Sequence, residues 1–320
     1  MKVLANDGIS KAGENRLKDA GIELLDAKVS QEHLINFINE NAVDVLLVRS
    51  ATKVRTDLID ACPGLKIIGR GGVGMDNIDV EYAIEKGLYV INTPNASSRS
   101  VAELVFAHFF SLARYLHESN RMMPLEGDTQ FNALKKSYNN ASELEGKTLG
   151  VIGFGGIGKE VVKIGISLGM KVKVLTRKPR TETISLNFFD GQQVDFKISS
   201  TTDYDEFLAD TDFISINTPK TEGYILDTVQ FEKMKDGVFI VNTARGGVLN
   251  EVALLDFIDS GKVAGAALDV FENEPNPELP LLMNPNLSLT PHLGGNTRDA
   301  QEKIGTELAL QIIDIKKILE

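Results

Sequence analysis

The chain holds a single cysteine, Cys62, in 320 residues, which excludes an internal disulfide and a multi-cysteine zinc site. It also lacks an excess of positive charge: 34 Lys and Arg stand against 45 Asp and Glu, a formal net charge of −11. A general nucleic-acid binder needs a basic face to displace counterions, so that class is set aside, although a local basic pocket for a small anion is not. No apolar run approaches the length of a membrane span, and the longest candidate, VFAHFFSLA, carries His108. There is no low-complexity tract and no collagen-like period. No signal-peptide core precedes the strand-like start MKVLAND. These absences predict a cytoplasmic enzyme or binding protein with neither nucleic acid nor membrane as partner.

What is present is the profile of an ordinary globular protein, 42% hydrophobic and 25% charged. A chain of 320 residues exceeds what one core usually serves, so two domains are expected. Apolar runs at 2–6, 22–26, 44–50, 65–70 and 88–94 alternate with helix-like segments near 10–20, 31–41, 55–61 and 80–86. Runs rich in Val, Ile and Leu without polar alternation suit strands buried on both faces, and strand–helix alternation implies a parallel sheet. Pro94 and the polar stretch 95–100 mark a boundary, with Ser97 or Ser98 as the cap of a helix over 101–116. Residues 117–146 read as a helix with loops. A second alternating block begins at KTLGVIGFGGIG (147–158), with strands ending near 152, 176, 217, 243, 270 and 291 and a last amphipathic helix from Thr297 onward.

One segment departs from this alternation. ISLNFF and QVDFKIS, within 184–199, show a period of two on either side of Asp190-Gly191, which predicts a β-hairpin with an odd-numbered loop. Its simplest reading is a decoration packed on the domain; the other is a dimer element or a rim of a cofactor site.

Gly153, Gly155, Gly156, Ile157 and Gly158 belong to a G-x-G-x-x-G loop that follows a strand and opens a helix. The first glycine permits the tight turn, the second lets backbone approach a diphosphate, and the third lets helix lie close on strand. The helix N-terminus offers unpaired N–H groups and a positive partial charge to the same diphosphate. The next strand would end with an acid for the ribose 2′-hydroxyl; this chain has Thr176-Arg177-Lys178-Pro179-Arg180 instead. Basic residues there attract a 2′-phosphate. The cofactor expected is therefore NAD or NADP, with Thr176 and Arg177 inclining towards NADP.

Three later segments each follow a predicted strand: VNTARGGVLNE with Arg245, ALDVFENEP with Asp269 and Glu274, and LTPHLGGNT with His292. Open α/β sheets bind ligands at the carboxyl ends of their strands, so these ionisable groups can converge. Reducing a keto acid needs these types: a fixed cation for the substrate, a histidine to give or take the proton, and a carboxylate to orient the histidine. Singly each has an ordinary structural explanation; together, behind a glycine loop, they do not.

Those four motifs, in this order, resemble the D-isomer-specific 2-hydroxyacid dehydrogenase family over about residues 44–305. The resemblance implies that Arg245, Glu274 and His292 are catalytic, that Asp269 meets the nicotinamide end, and that Thr218, Thr243 and Ala244 touch the cofactor. It implies an α/β fold of two doubly wound domains: a Rossmann cofactor domain (99–294) inserted in a flavodoxin-like substrate domain (1–98 plus 295–320). It also implies a homodimer. No metal site is expected.

RSATKV places Arg49 and Ser50, and GRGG places Arg70, Gly71 and Gly72, at neighbouring strand ends, where arginines and a glycine turn suit a carboxylate and a phosphate. The other reading of either arginine is an ion pair with Asp44 or Asp76. With NTPNASSRSVAE these segments resemble the phosphoglycerate dehydrogenase branch of the family. That implies 3-phosphooxypyruvate and 3-phosphoglycerate as substrates, hence a place in serine biosynthesis, without feedback through a further C-terminal domain. A glyoxylate or hydroxypyruvate reductase shares the catalytic set and is the alternative. From another class, a cofactor-sensing corepressor would need an exposed apolar groove. His33, His108 and His117 read as surface or helix residues, and Cys62 as a small buried filler.

Overall fold

The structure is a computed structural model that describes residues 1–25 and 27–320. Asp26, the last residue of the expected 22–26 strand, lies outside the described residues. The chain divides into two compact units, Met1–Ser100 with Gly295–Glu320, and Val101–Gly294.

The first unit is built on strands β1 (Lys2–Ala5), β2 (Glu23–Leu25), β3 (Val45–Val48), β4 (Ile67–Arg70) and β5 (Tyr89–Asn92). They form one sheet in the order β2-β1-β3-β4-β5, with every pairing parallel. This is the flavodoxin-like order, which reverses direction between β1 and β3. Successive side chains point to opposite faces, so neighbours in sequence enter different cores. Leu4, Leu46 and Ile68 pack with Leu34, Ile38 and Leu58 on one face. Val3, Val45 and Ile67 pack with Leu17, Ile304, Leu308 and Ile312 on the other. Isoleucine and leucine at 304, 308 and 312 recur every four residues of the last helix, Arg298–Leu319, and form its buried stripe. Thr297 caps that helix by accepting the Ala300 N–H at 3.2 Å. The helix lies against Lys11–Asp19 so closely that a Cβ on Gly13 would stand 2.5 Å from the Gly305 carbonyl oxygen.

The second unit carries β6 (Thr148–Ile152), β7 (Lys171–Leu175), β8 (Thr181–Asn187), β9 (Gln193–Thr201), β10 (Phe213–Ile216), β11 (Val238–Asn242), β12 (Val263–Leu268) and β13 (Leu287–Leu289). The sheet order is β13-β12-β11-β10-β6-β7-β9-β8. From β6 the chain proceeds to β7 on one side and returns to β10 on the other, which makes the carboxyl ends of β6 and β10 the topological switch point of a doubly wound fold. All five residues of β6 and all four of β10 are buried, as a strand covered on both faces requires.

Three local expectations are corrected. The helix expected over 101–116 spans Ser98–Ala113, so Ser98 is its first residue rather than its cap. It stops early because Tyr115 adopts φ 53° in the left-handed region, and two helices, Leu116–Glu126 and Phe131–Ser137, follow where one was expected. A short helix at Leu279–Met283, with proline in its first turn, was not expected at all. The hairpin is not a decoration. Ile184 pairs with Phe196 and Leu186 with Val194, and β9 then joins β7 in parallel through Val174–Ser200 and Leu175–Thr201. The two strands thus extend the sheet, burying Ile184 and Leu186 and leaving Phe188 and Phe189 exposed at the turn.

Candidate active site

β6 runs directly into the glycine loop. Gly153 takes φ 95°, and a Cβ there would lie 2.5 Å from the Asn217 carbonyl oxygen; one on Gly158 would lie 2.1 Å from the Gly153 oxygen. Only glycine permits that turn and that helix–strand approach. Gly155 differs, because a Cβ there meets nothing within 4 Å. It is the N-cap of the helix Gly156–Ser167, so open space faces the first-turn N–H groups of a helix that begins with Gly156 and Ile157. Thr218 lies just beyond β10, and Thr243 and Ala244 just beyond β11. The Thr218 and Thr243 hydroxyl oxygens are buried with no hydrogen-bond partner among the described residues. Such orphaned groups are costly unless a ligand completes them. An anion-ready helix terminus, open space and two unused hydroxyls fit a dinucleotide.

The segment after β7 is held by its own polar groups. Thr176 Oγ1 donates to the Lys178 carbonyl at 2.8 Å and lies 2.6 Å from Ser200 Oγ on β9. Ser200 Oγ accepts the Arg180 N–H at 3.0 Å. Arg180 itself turns back on the glycine loop: its guanidinium donates to the Phe154 carbonyl, stands 5.3 Å above the Phe154 ring and pairs with Glu182 at 3.3 Å. Arg177 and Lys178 are exposed, and neither side chain has a hydrogen bond or ion pair among the described residues. One of the three basic side chains is therefore committed to the loop, and two are not.

Arg245, Glu274 and His292 come from three segments of the same unit. Asn242, buried at the end of β11, shapes the arginine turn: its amide donates to the Arg245 carbonyl at 3.0 Å and its oxygen accepts the Ala244 N–H at 3.1 Å. Gly246 presses this turn on the next one, since a Cβ there would stand 1.8 Å from the Phe271 oxygen. The Phe271 N–H donates to Glu274 Oε1 at 3.0 Å, and Glu274 Oε2 lies 3.0 Å from His292 Nδ1. Partial burial pushes the Glu274 carboxyl up, but the hydrogen bonds from His292 and Phe271, with the charges of His292 and Arg245, outweigh it and hold the pKa below its ordinary value. An ionised carboxylate only accepts, so Nδ1 carries a proton and Nε2 is left to exchange one.

His292 is also backbone-strained. It adopts φ 55°, and its N–H donates to the carbonyls of Asp269 at 2.9 Å and Thr290 at 3.1 Å. Asp269, buried after β12, receives Thr290 Oγ1 at 2.6 Å and Leu293 N–H at 2.7 Å on one oxygen, and Gly294 N–H at 2.8 Å on the other.

In the first unit, Arg49 and Ser50 follow β3 and line a cavity of about 450 Å³ with Asn6, Asp7, Gly8 and Lys28, at the carboxyl ends of β1 and β3. The Asp7 carboxylate accepts the Arg49 N–H at 2.6 Å, and its other oxygen accepts the Thr52 hydroxyl at 2.8 Å. Asp44, considered as an arginine partner, instead pairs with Lys66 at 2.6 Å. Arg70 ends β4; Gly71 N–H bonds the Val48 carbonyl at 2.9 Å. Gly72, at φ 142°, lies under the Arg70 guanidinium, where a Cβ would be 1.6 Å from Nη1. Cys62 is buried. Among the described residues no cluster of His, Cys, Asp and Glu could hold a metal ion, and no helix is long and apolar enough to cross a membrane.

Several supporting residues escaped the sequence reading. Asn242 announces itself only as a polar residue ending an apolar strand. His108 lies on the helix Ser98–Ala113, as one of its two readings had it, but is buried rather than at the surface, 3% exposed and bonded to Ser288 and Thr290; a lone histidine in an apolar helical stripe was the available signal.

Residues 106–294 match the family model described as D-isomer specific 2-hydroxyacid dehydrogenase, NAD binding domain. The chain is 42% identical to a hydroxypyruvate reductase of Thermotoga maritima over 97% of both chains. It is 39% identical to a D-3-phosphoglycerate dehydrogenase of Archaeoglobus fulgidus over 99% of this chain but 58% of that one, so it spans little more than half of that relative. Among solved structures, a glyoxylate reductase from Paecilomyes thermophila superposes with a TM-score of 0.80 at 28% identity, covering 97% of this chain and 93% of the other.

Behind the Glu274 turn lies a pair that sequence reasoning missed. Glu251 accepts the Glu272 N–H at 2.7 Å, and the Glu272 carboxylate accepts the Glu251 N–H at 3.2 Å. Glu251 is 6% exposed. Burial, with the charges of Glu272, Glu274 and Glu278 and against the hydrogen bond from Glu272, raises its pKa from 4.5 to about 7. A carboxyl whose folded pKa is raised costs stability as it ionises, so this contribution is lost as pH climbs from 4.5 to about 7. Glu251→Gln is expected to flatten the decline in unfolding free energy across that window, measured by urea denaturation at a series of pH values; an unchanged slope would show that Glu251 ionises freely.

Proposed function

Because the chain belongs to the D-isomer specific 2-hydroxyacid dehydrogenase family, we propose that it moves a hydride between a nicotinamide dinucleotide and a D-2-hydroxy acid, with 3-phosphoglycerate and 3-phosphooxypyruvate as the substrate pair. The observation that carries the chemistry is the 3.0 Å bond between His292 Nδ1 and Glu274 Oε2. In the reducing direction protonated His292 gives its Nε2 proton to the carbonyl oxygen, which becomes the hydroxyl. Glu274 keeps the imidazole oriented and stabilises its cationic form. Arg245 holds the substrate and polarises its carbonyl. The dinucleotide supplies the hydride to the carbonyl carbon when bound. Gly153, Gly155, Gly156, Ile157 and Gly158 cradle its diphosphate, Thr218, Thr243 and Ala244 line its path, and Asp269 serves its nicotinamide end.

Arg49, Ser50, Arg70, Gly71 and Gly72 bind the substrate's anionic groups. Arg49 and Lys28 in one cavity support a doubly anionic, phosphorylated substrate. The second reading, a hydroxypyruvate or glyoxylate reductase, is favoured by the end-to-end likeness to the Thermotoga maritima protein. On the coenzyme, we infer NADP use alongside NAD, through Thr176 and the uncommitted Arg177. We also infer a homodimer: the helices Leu116–Glu126 and Phe131–Ser137 bury no side chain and expose Leu116, Met123, Leu125 and Phe131.

His292→Ala is expected to lower kcat at least ~100-fold with cofactor affinity nearly unchanged; equal losses in both, read by steady-state kinetics and cofactor fluorescence titration, would remove the acid/base role. Oxidation of NADH and NADPH, side by side, with 3-phosphooxypyruvate and with hydroxypyruvate decides substrate and coenzyme together. Arg49→Ala is expected to cost ~10-fold or more in kcat/KM on the phosphorylated acid only, and Arg177→Ala to raise KM for NADPH only. Faster turnover of hydroxypyruvate, indifferent to Arg49→Ala, would establish the second reading. Sedimentation at micromolar concentration should show a dimer, and a monomer there would end the homodimer inference.

A further inference from the structure

The helix Ser98–Ala113 buries Val105, Phe106, Phe109 and Leu112, and His108 sits in the same stripe at 3% exposure. A buried imidazole must satisfy both ring nitrogens. Nδ1 lies 3.1 Å from Ser288 Oγ, and Nε2 lies 3.2 Å from Thr290 Oγ1. The Thr290 hydroxyl has one proton, and it donates to Asp269 Oδ1 at 2.6 Å. Towards His108 the Thr290 oxygen must therefore accept, which places a proton on Nε2. In the neutral ring Nδ1 is then bare and accepts from the Ser288 hydroxyl. Burial pushes the His108 pKa down, opposed by the charge of Asp269 and reinforced by His117, so the neutral ring is the favoured one.

The chain of donors runs on without a gap. Asp269, 1% exposed, takes the Thr290 hydroxyl and the Leu293 and Gly294 N–H groups, and its carbonyl takes the His292 N–H at 2.9 Å. Those bonds bracket the one residue of the segment held at φ 55°, a conformation that a histidine keeps only when its surroundings impose it. We propose that His108 is a positioning residue for the acid/base reaction: as the Nε2–H tautomer it fixes Thr290 and Asp269, and through them the left-handed turn that carries His292. The proposal rests on the reading of His292 as the proton donor.

Two measurements test it. The first is a long-range 1H–15N spectrum of the histidine-labelled protein, with the His108 signals identified by their loss in His108→Gln. Nε2 is expected protonated and Nδ1 bare at neutral pH. A protonated Nδ1 overturns the proposal. The second is steady-state kinetics across pH. His108→Leu removes the donor and is expected to lower kcat ~10-fold, move the ionising limb of the kcat profile and leave KM for cofactor within twofold. His108→Gln keeps an amide donor at the Nε2 position and is expected to recover most of the rate. Thr290→Val added to His108→Leu should cost little more, because both act through one path. Wild-type kcat and pH profile in His108→Leu, or equal losses in the Leu and Gln variants, overturn it. If the unaltered protein reduces no 2-keto acid, the reading of His292 fails, while the tautomer and the Leu293 and Gly294 amide shifts in His108→Leu still decide whether His108 holds the turn.

Discussion

The arrangement depends first on one buried carboxylate. Asp269, 1% exposed, collects the Thr290 hydroxyl and the Leu293 and Gly294 amides, and its backbone carbonyl takes the amide of His292. A buried charge survives where donors replace its water. Here the donors all come from the turn after β13, so satisfying the charge and bending the backbone at His292 are the same event. The imidazole is thereby delivered to Glu274 at 3.0 Å. The arginine turn is tied in by contact between backbones, Gly246 against Phe271, which excludes any side chain at 246.

The two units apply one rule with different wiring. The first is a parallel sheet and the second is parallel apart from the β8–β9 hairpin, and the strand order reverses between β1 and β3 in the first unit and between β6 and β10 in the second. At both reversals the loops leave on opposite sides and the strand ends stay open. The first opens on Asp7, Arg49 and Ser50, and the second on the glycine loop and Thr218. Ionisable residues accumulate at those ends because the buried strands β3, β6 and β10 carry none. β9 modifies the second unit by taking the place beside β7 and setting Ser200 on Thr176, so the hairpin borders the glycine loop through Arg180.

Much of this could be read before folding. Short apolar runs announced most strands, and the glycine spacing announced the turn after β6. The period-two pattern around Asp190-Gly191 announced β8 and β9, but not their register, in which Ile184 pairs with Phe196 and Leu186 with Val194. The end of the Ser98 helix could not be read, because LARYL continues a helical pattern and only the left-handed Tyr115 stops it. Nor could the attachment of β9 to β7, since a hairpin pattern says which strands pair with each other and nothing about which neighbour completes the ladder.

The sequence by itself determined the residue types and their order: a glycine loop, then an arginine, a glutamate and a histidine, each behind an apolar run, and a basic segment where an acid would suit a ribose. Those follow from periodicity and local chemistry, which act within a few residues. The tertiary structure alone decided which basic side chain is spent on Phe154, why burial pushes the Glu251 carboxyl up, and that His108, 182 positions before Thr290, faces it. Such matters are settled by burial and by donors arriving from distant strands, and no local pattern encodes the distance between them.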